Sequence, residues 1–244
     1  MTTDLTREDR DFLEQYHLSD YERPSVAVDI VALALGPIPE DAEQPRALYT
    51  LLTRRTELPQ IGVASLLGGF VGVDESLEES VTRVLHDKAG LGGVACEQLY
   101  TFGNPERDPR GRIISVTYLA LLRFTETLRA LLANDETLFS PLKGAVPFDP
   151  ASGEAIPLAF DHAYILESAI SRVRAKLDYW PLRFELLPDV FTMKELQHLH
   201  ETVLGSSVNK DSFRRRMVDS GAVIATGDVR GAVGRPAELY RKGV

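Results

Sequence analysis

Arginines and adjacent glycines are residue types that phosphate chemistry can use, and this chain carries both. A cleft that holds phosphates needs guanidinium groups and free backbone amides, and Arg54, Arg55, Arg107, Arg110, Arg112 and the pair Gly68–Gly69 can supply both. These seven are the candidate ligand-binding residues. Arg110-Gly111 also reads as a plain hairpin turn, and the sequence leaves both readings of it open. A second basic set lies near the end of the chain, in "NKDSFRRRMVDSG" and the glycine-rich stretch that follows. Asn209, Lys210, Ser212, Arg214, Arg215, Arg216, Arg230 and Arg235 form the candidate DNA-binding set there, because cations on one helix and one loop match the electrostatic footprint of a nucleic-acid reader.

Positioning these groups takes two kinds of element. "SVAVDIVALAL" is apolar in both of its alternating sets, which predicts a strand buried on both faces. "ALYTLLTRR" and "RIISVTYLALLRF" predict further strands, rich in β-branched and aromatic residues. "ESLEESVTRVLHDKAG" predicts a helix closed at Gly90, and residues about 6–18 a short helix opened by Thr6 with Asp9 three residues on. In "AYILESAISRVRAKL", Leu166, Ile170, Val173 and Leu177 give one apolar stripe and predict a bridging helix over 163–177. Pro181 and Pro188 interrupt regular structure just beyond it. Residues 126–158 give mixed signals with no clear element. "FTMKELQHLHETVLG" carries a full capping box at Thr192 and Glu195 and stops at Gly205. In the next helix, capped by Asn209 and ended by Gly221, an inward Phe213 places Met217 one turn on and turns Arg215 outward, with Arg214 and Arg216 on the flanks. Two strand-like pieces around the loop carrying Arg230 and Arg235 complete a helix, turn, helix and basic hairpin. That is a winged-helix pattern, with a small protein–protein module bearing a solvated charged helix as the plainer alternative.

The totals exclude several classes. A chain of 244 residues with 44% hydrophobic and 26% charged residues is expected to be an ordinary soluble globular protein. Its apolar runs are too short for a bilayer, and "SVAVDIVALAL" contains an Asp, so no membrane partner is expected. "MTTDLTREDRDFLEQYH" is charged from its fourth residue and implies no cleavable signal. The single Cys96 allows no intrachain disulfide and fits a cytoplasmic setting. His198 and His200, two apart, make a poor metal pair. Net charge is −9, yet residues 208–244 carry +4, leaving −13 for the rest. A basic end on an acidic body suggests two tasks in two places.

Read from Gly69, the spacing to Glu75, Arg83, Leu85, Gly90 and Leu91 resembles the Nudix box of metal-dependent pyrophosphate hydrolases. "DESLEESVTRVL" is equally what a plain amphipathic surface helix looks like. The flanking "YERPSVAVDIVALAL" and "YTFGNPERDPRGRIISVTYLALL" resemble the entry strand and pocket-shaping segment of ADP-ribose-type members. The family's metal-related glutamates fall at Val84, Asp87 and Lys88, positions that share one helix face. With one carboxylate left and an ammonium added, tight Mg²⁺ binding is not expected. No catalytic or metal residue is therefore assigned, and Leu67 stands where the motif's loop usually has Pro.

"FTMKELQHLHETVLG", "FRRRMVDSG", "GRPAELY" and the bridge "LAFDHAYIL…KLDYWPLRFELLP" together resemble the Nudix-related transcriptional regulators of NAD metabolism, the NrtR type. The resemblance implies an α/β fold: a Nudix-like α/β/α sandwich over 1–158, a linker helix over 159–184 and a C-terminal winged helix-turn-helix over 185–244. It implies a cytoplasmic homodimer that binds double-stranded operator DNA, represses NAD biosynthesis genes and responds to ADP-ribose or a related NAD metabolite, with no cofactor required. Repressor and activator are not separated by sequence. The competing expectation is a Mg-dependent hydrolase of ADP-ribose-type nucleoside diphosphates, using Asp87, Glu75, Glu78 or Glu79, with the C-terminal part for dimerisation.

Overall fold

The computed structural model describes residues 5–36, 47–125, 128, 137–177, 181–231 and 236–243. A short helix, α1 (Arg7–Gln15), opens them; its Thr6–Asp9 capping box has both of its hydrogen bonds. The main sheet runs β5-β6-β1-β2-β7-β8, built from β1 (Ser25–Gly36), β2 (Ala47–Arg54), β5 (Cys96–Phe102), β6 (Ile113–Leu122), β7 (Thr137–Lys143) and β8 (Val146–Pro147). Strand β3 (Ala64–Ser65) pairs with β2, and β4 (Leu67–Phe70) with β1. The central pair β1–β6 is parallel; the other pairs in this sheet are antiparallel. Residues 137–147, where sequence gave no clear element, supply the β7–β8 edge.

The double burial expected of β1 has a simple cause. Val28, Ile30, Ala32 and Ala34 pack on one side with Val81, Val84 and Leu85 of α2 (Leu77–Ala89). Val31, Leu33 and Leu35 pack on the other with Ile165, Ala169 and Ile170 of α3 (His162–Lys176). Each of these large aliphatic side chains contributes roughly 1.5–3 kcal/mol by leaving water. The result is the helix–sheet–helix sandwich that the sequence implies. Asp29 belongs to the α3-facing set, and that places a carboxylate inside the fold.

Helix α2 begins with a capping box between Ser76 and Glu79 and ends at Gly90, whose left-handed φ of 61° suits glycine. Beyond α3, a short 3₁₀ helix (Pro181–Leu186) leads to β9 (Phe191–Thr192), α4 (Met193–Leu204), α5 (Lys210–Asp219), β10 (Val223–Arg230) and β11 (Ala237–Lys242). The strands form a second sheet in the order β10-β11-β9. Thr192 and Glu195 make both bonds of their capping box, and Asn209 caps α5 by accepting from the Ser212 amide. Phe213 and Met217 point inward as expected, with Phe213 edge-on to the buried His200 at 4.8 Å. One hydrophobic cluster joins the α3 side of the main sheet to Leu196, Leu199, Val203, Phe213, Met217 and Tyr240, so the two sheets share a core. Among the described residues, no helix is long and apolar enough to cross a membrane.

Candidate functional site

A cavity of about 220 Å³ opens beside β4, walled by the 53–57 segment, the 107–110 turn, Phe160 and His162. Six of the seven residues expected at a ligand site line it: Arg54, Arg55, Gly68, Gly69, Arg107 and Arg110. Arg112 does not; its Nη1 donates to the Gly103 carbonyl at 2.7 Å. The glycines are explained by close approach. A Cβ on Gly68 would stand 2.4 Å from Asp29 Oδ1, and one on Gly69 3.1 Å from Val84 Cγ2. Their backbone runs in the β1–β4 ladder, opposite Asp29 and Val28.

The arginines have unequal freedom. Arg107 is buried and forked onto Asp161, with Nε at 2.9 Å and Nη2 at 2.7 Å, while Nη2 also reaches Asp29 at 3.1 Å. Burial alone would lower its pKa, but the two carboxylates outweigh that and raise it, so the guanidinium stays charged. Arg110 is held by Asp108 at 2.7 Å, and its guanidinium lies 5.2 Å from the Phe70 ring centre and 5.4 Å from that of Phe160. The Asp108–Gly111 segment is also a turn, so both readings of Arg110 describe the same loop. Arg55 lies 4.6 Å from the centre of the same Phe160 ring. Burial, followed by the neighbouring Arg110 charge, pushes the Arg55 pKa down. Phe160 is held at a left-handed φ of 52°, its amide donating to Gln60 Oε1 at 3.1 Å.

Asp29, Asp108, Phe160, Asp161 and His162 were missed as site residues. The available signal was an Asp within an otherwise apolar strand and the "FDH" that precedes an apolar helix stripe. His162 accepts from the Leu66 amide through Nδ1 at 3.0 Å, which leaves the proton on Nε2, 3.6 Å from Asp29 Oδ1. Burial lowers its pKa below the ordinary 6.5, against the pull of Asp29 and Asp161. The unfolded chain takes up this proton below about 6.5 while the folded chain resists it, so the contribution of neutral His162 is complete above that pH and lost as pH falls through the folded pKa. Thermal midpoints measured at pH 7.5, 6.5 and 5.5 are expected to fall more steeply for the parent chain than for His162→Gln; parallel curves would refute this. The comparison cancels the other histidines.

The residues at the Nudix metal positions do not fit a divalent cation. Val84 is 2% exposed within the α2-side core, Lys88 lines the cavity with an ammonium, and Asp87 is exposed beside His86 Nδ1 at 3.1 Å. The carboxylates of the competing hydrolase expectation are engaged elsewhere. Glu75 holds Arg83 and the Gly72 amide and has its pKa pulled down to about 2, first by Arg83. Glu79 closes the Ser76 capping box, and Glu78 accepts from the Tyr118 hydroxyl at 3.2 Å. Among the described residues, no three His, Cys, Asp or Glu side chains come together as a metal site.

On the second unit, Asn209, Lys210, Ser212, Arg214, Arg215 and Arg216 are all exposed along α5. Two of them serve the cap, Asn209 through its side chain and Ser212 through a hydroxyl donating to the Asn209 carbonyl. Arg214 is tied across to β11, to Glu238 at 2.8 Å and the Tyr240 hydroxyl at 2.8 Å. Arg230 pins the wing's base to α4, reaching Glu195 at 3.2 Å and the Val190 carbonyl at 2.9 Å. Arg235 lies outside the described residues. Lys210 and Arg215 present charge outward without an ion pair to another part of the described fold, and the exposed Arg216 packs 5.6 Å from the Phe213 ring centre.

Comparison with known proteins agrees with both units. Residues 183–241 match the NrtR DNA-binding winged helix domain. Over 232 residues the chain is 36% identical to the ADPR responsive transcriptional repressor NtrR of Acinetobacter baylyi, covering 94% of this chain and 86% of that protein. The crystal structure of Shewanella oneidensis NrtR complexed with a 27mer DNA superposes with a TM-score of 0.73 at 35% identity, over 89% of this chain and 93% of that one. The NUDIX domain of the same protein, complexed with ADP ribose, superposes with a TM-score of 0.53 at 28% identity, over 69% of this chain and 99% of that one. With a Nudix-like sandwich, a winged helix and this likeness over nearly its whole length, the chain belongs to the NrtR family.

Proposed function

We propose that this protein is a transcriptional repressor of NAD biosynthesis genes that senses ADP-ribose or a related NAD metabolite. A Nudix-like unit, residues 1–158, binds the nucleotide; a linker, residues 159–184, carries its state to a winged helix, residues 185–244, that binds double-stranded operator DNA. The protein acts in the cytoplasm as a homodimer, presenting two α5 helices to half-sites of a roughly palindromic operator spaced by whole helical turns. It needs no cofactor and performs no hydrolysis, since Val84 and Lys88 remove the donors a metal would require. Arg54, Arg55 and Arg110 take the phosphates, with Phe160 and Phe70 as the ring faces beside them.

The observation that carries this proposal is the continuity of one core from the wall of an arginine-lined cleft to the helix that exposes Arg215 and Arg216. The ligand acts only through unequal affinity for two arrangements, and a tenfold change in operator affinity needs about 1.4 kcal/mol of coupling. The test is fluorescence anisotropy of a labelled duplex from upstream of the protein's own operon, titrated with protein and then with ADP-ribose, with and without Mg²⁺. Tight, salt-sensitive binding released by ADP-ribose without metal is expected. Absence of binding at any salt, or metal-dependent turnover of ADP-ribose, would return the chain to the hydrolases.

Lys88 gives a further prediction. Reversing its charge, Lys88→Glu, is expected to weaken ADP-ribose binding about tenfold or more by calorimetry, since a unit charge about 6–12 Å from a phosphate is worth about 1–3 kcal/mol at an effective dielectric near 20. Unchanged affinity would place the diphosphate elsewhere in the cleft.

A further inference from the structure

One pairing at the cleft floor sits where a different hydrogen bond is ordinarily made. Asp161 occupies the N-cap of α3, from which an aspartate usually accepts from the second or third helical amide. Here it makes no capping hydrogen bond, and its two carboxylate oxygens are turned onto Arg107 instead. The amides of the exposed residues Ala163 and Tyr164 donate no hydrogen bond to another part of the described fold. Arg107 lines the cavity and has spent Nε and Nη2 on Asp161 and Asp29, leaving Nη1 without a partner among the described residues.

Resting on the nucleotide-sensing function proposed above, we propose that Asp161 is a positioning residue with two alternative partners, and that its exchange between them transmits the state of the cleft. Without ligand it is clamped to Arg107. A diphosphate oxygen offers Arg107 an equivalent anionic acceptor, and the released carboxylate turns to cap Ala163 and Tyr164. Asp29 retains its own bond to Arg107 and keeps the guanidinium in place during the exchange.

The first turn of α3 is well placed to pass this on. The helix is 15 residues long, about 22 Å at 1.5 Å per residue, and behaves as a rod. At its far end Arg174 Nε donates to the Val203 carbonyl of α4 at 2.8 Å. Ile170, Val173 and Leu177 lie in the same buried cluster as Leu199, Val203 and Phe213. A change in the α3 cap therefore acts on the packing beneath the DNA-facing helix without a contact between the ligand and the winged helix.

Two substitutions in the full chain separate the alternatives because they push in opposite directions. Asp161→Ser can cap but cannot hold Arg107; it is expected to bind operator about tenfold more weakly than the parent without any ligand, and to respond little to ADP-ribose. Asp161→Glu can hold Arg107 but caps poorly; it is expected to keep parental operator affinity, to bind ADP-ribose by calorimetry off DNA, and to lose most of the release. Hydrogen exchange adds a site-specific readout. ADP-ribose should slow exchange at Ala163 and Tyr164 in the parent and not in Asp161→Glu. Full release from Asp161→Glu, or equal loss in the same direction from both variants, would overturn the proposal. If Asp161→Ser fails to fold, the Asp161→Glu result alone decides. A parent chain that binds operator but ignores ADP-ribose would remove the sensing function itself, an outcome distinct from failure of the switch.

Discussion

Arg215→Ala combined with Arg216→Ala is expected to weaken operator binding by about a hundredfold, taking about 1–3 kcal/mol for each arginine contact with DNA. ADP-ribose affinity measured off DNA should not change. The expectation follows from how α5 divides its labour. Phe213 and Met217 hold the helix to the core from the inner face, so truncating the outer arginines leaves that packing alone, apart from the ring contact of Arg216 with Phe213. Salt dependence supplies an independent check. About three phosphate contacts per subunit would give a slope on the order of −5, and each contact removed should flatten it by about 0.9. A slope near zero in the parent would sink the DNA-binding function, and joint loss of operator and ADP-ribose binding in the variant would indicate misfolding. Arg214 should behave differently from its neighbours, because its bonds to Glu238 and Tyr240 tie recognition helix to wing.

Arg107→Ala has the largest expected effect on stability. It leaves Asp29 and Asp161 without their shared cation in a site where Arg107 and Asp29 are both below a tenth exposed, and breaking a buried pair from one side typically costs about 3–5 kcal/mol. Chemical denaturation measures this directly; a loss below about 1 kcal/mol would mean the pair is solvated and contributes as surface pairs do. The same variant removes one wall of the cleft, so ADP-ribose binding should fall with stability, unlike the response expected of the Asp161 variants.

Local signals carried most of the fold. The double alternation of β1, the capping residues Thr6 and Thr192, and the glycines at 90 and 205 act within a few residues of themselves, and the elements they predict are present within a few residues of their expected ends. The cleft was legible only in part, because its polar floor joins groups far apart in the chain. Arg107 meets Asp161 across 54 residues and Asp29 across 78, and nothing near any of them announces the meeting. Arginine type was a sound guide to which side chains gather at the cavity, but not to which are already spent. Arg107, Arg214 and Arg230 look as free in sequence as Arg215, and it takes Asp161, Glu238 and Glu195, brought in by folding, to tell them apart. The β7–β8 edge was illegible for a related reason: both strands carry a Pro, β8 is only two residues long, and they are held by pairing, β7 with β2 and β8 with β7, rather than by a pattern of their own.

The shared core bears on how such a protein can be taken apart or recombined. Leu196, Leu199, Val203 and Phe213 are covered on one side by their own helices and on the other by the α3 face of the sandwich. A winged helix cut free before Phe191 would show that apolar face to water, and a sandwich cut after Leu177 would show its counterpart. Grafting this reading head onto another sensor therefore means carrying α3 with it, and the natural unit of exchange between such regulators runs from "FDHAYIL" to the end of the wing.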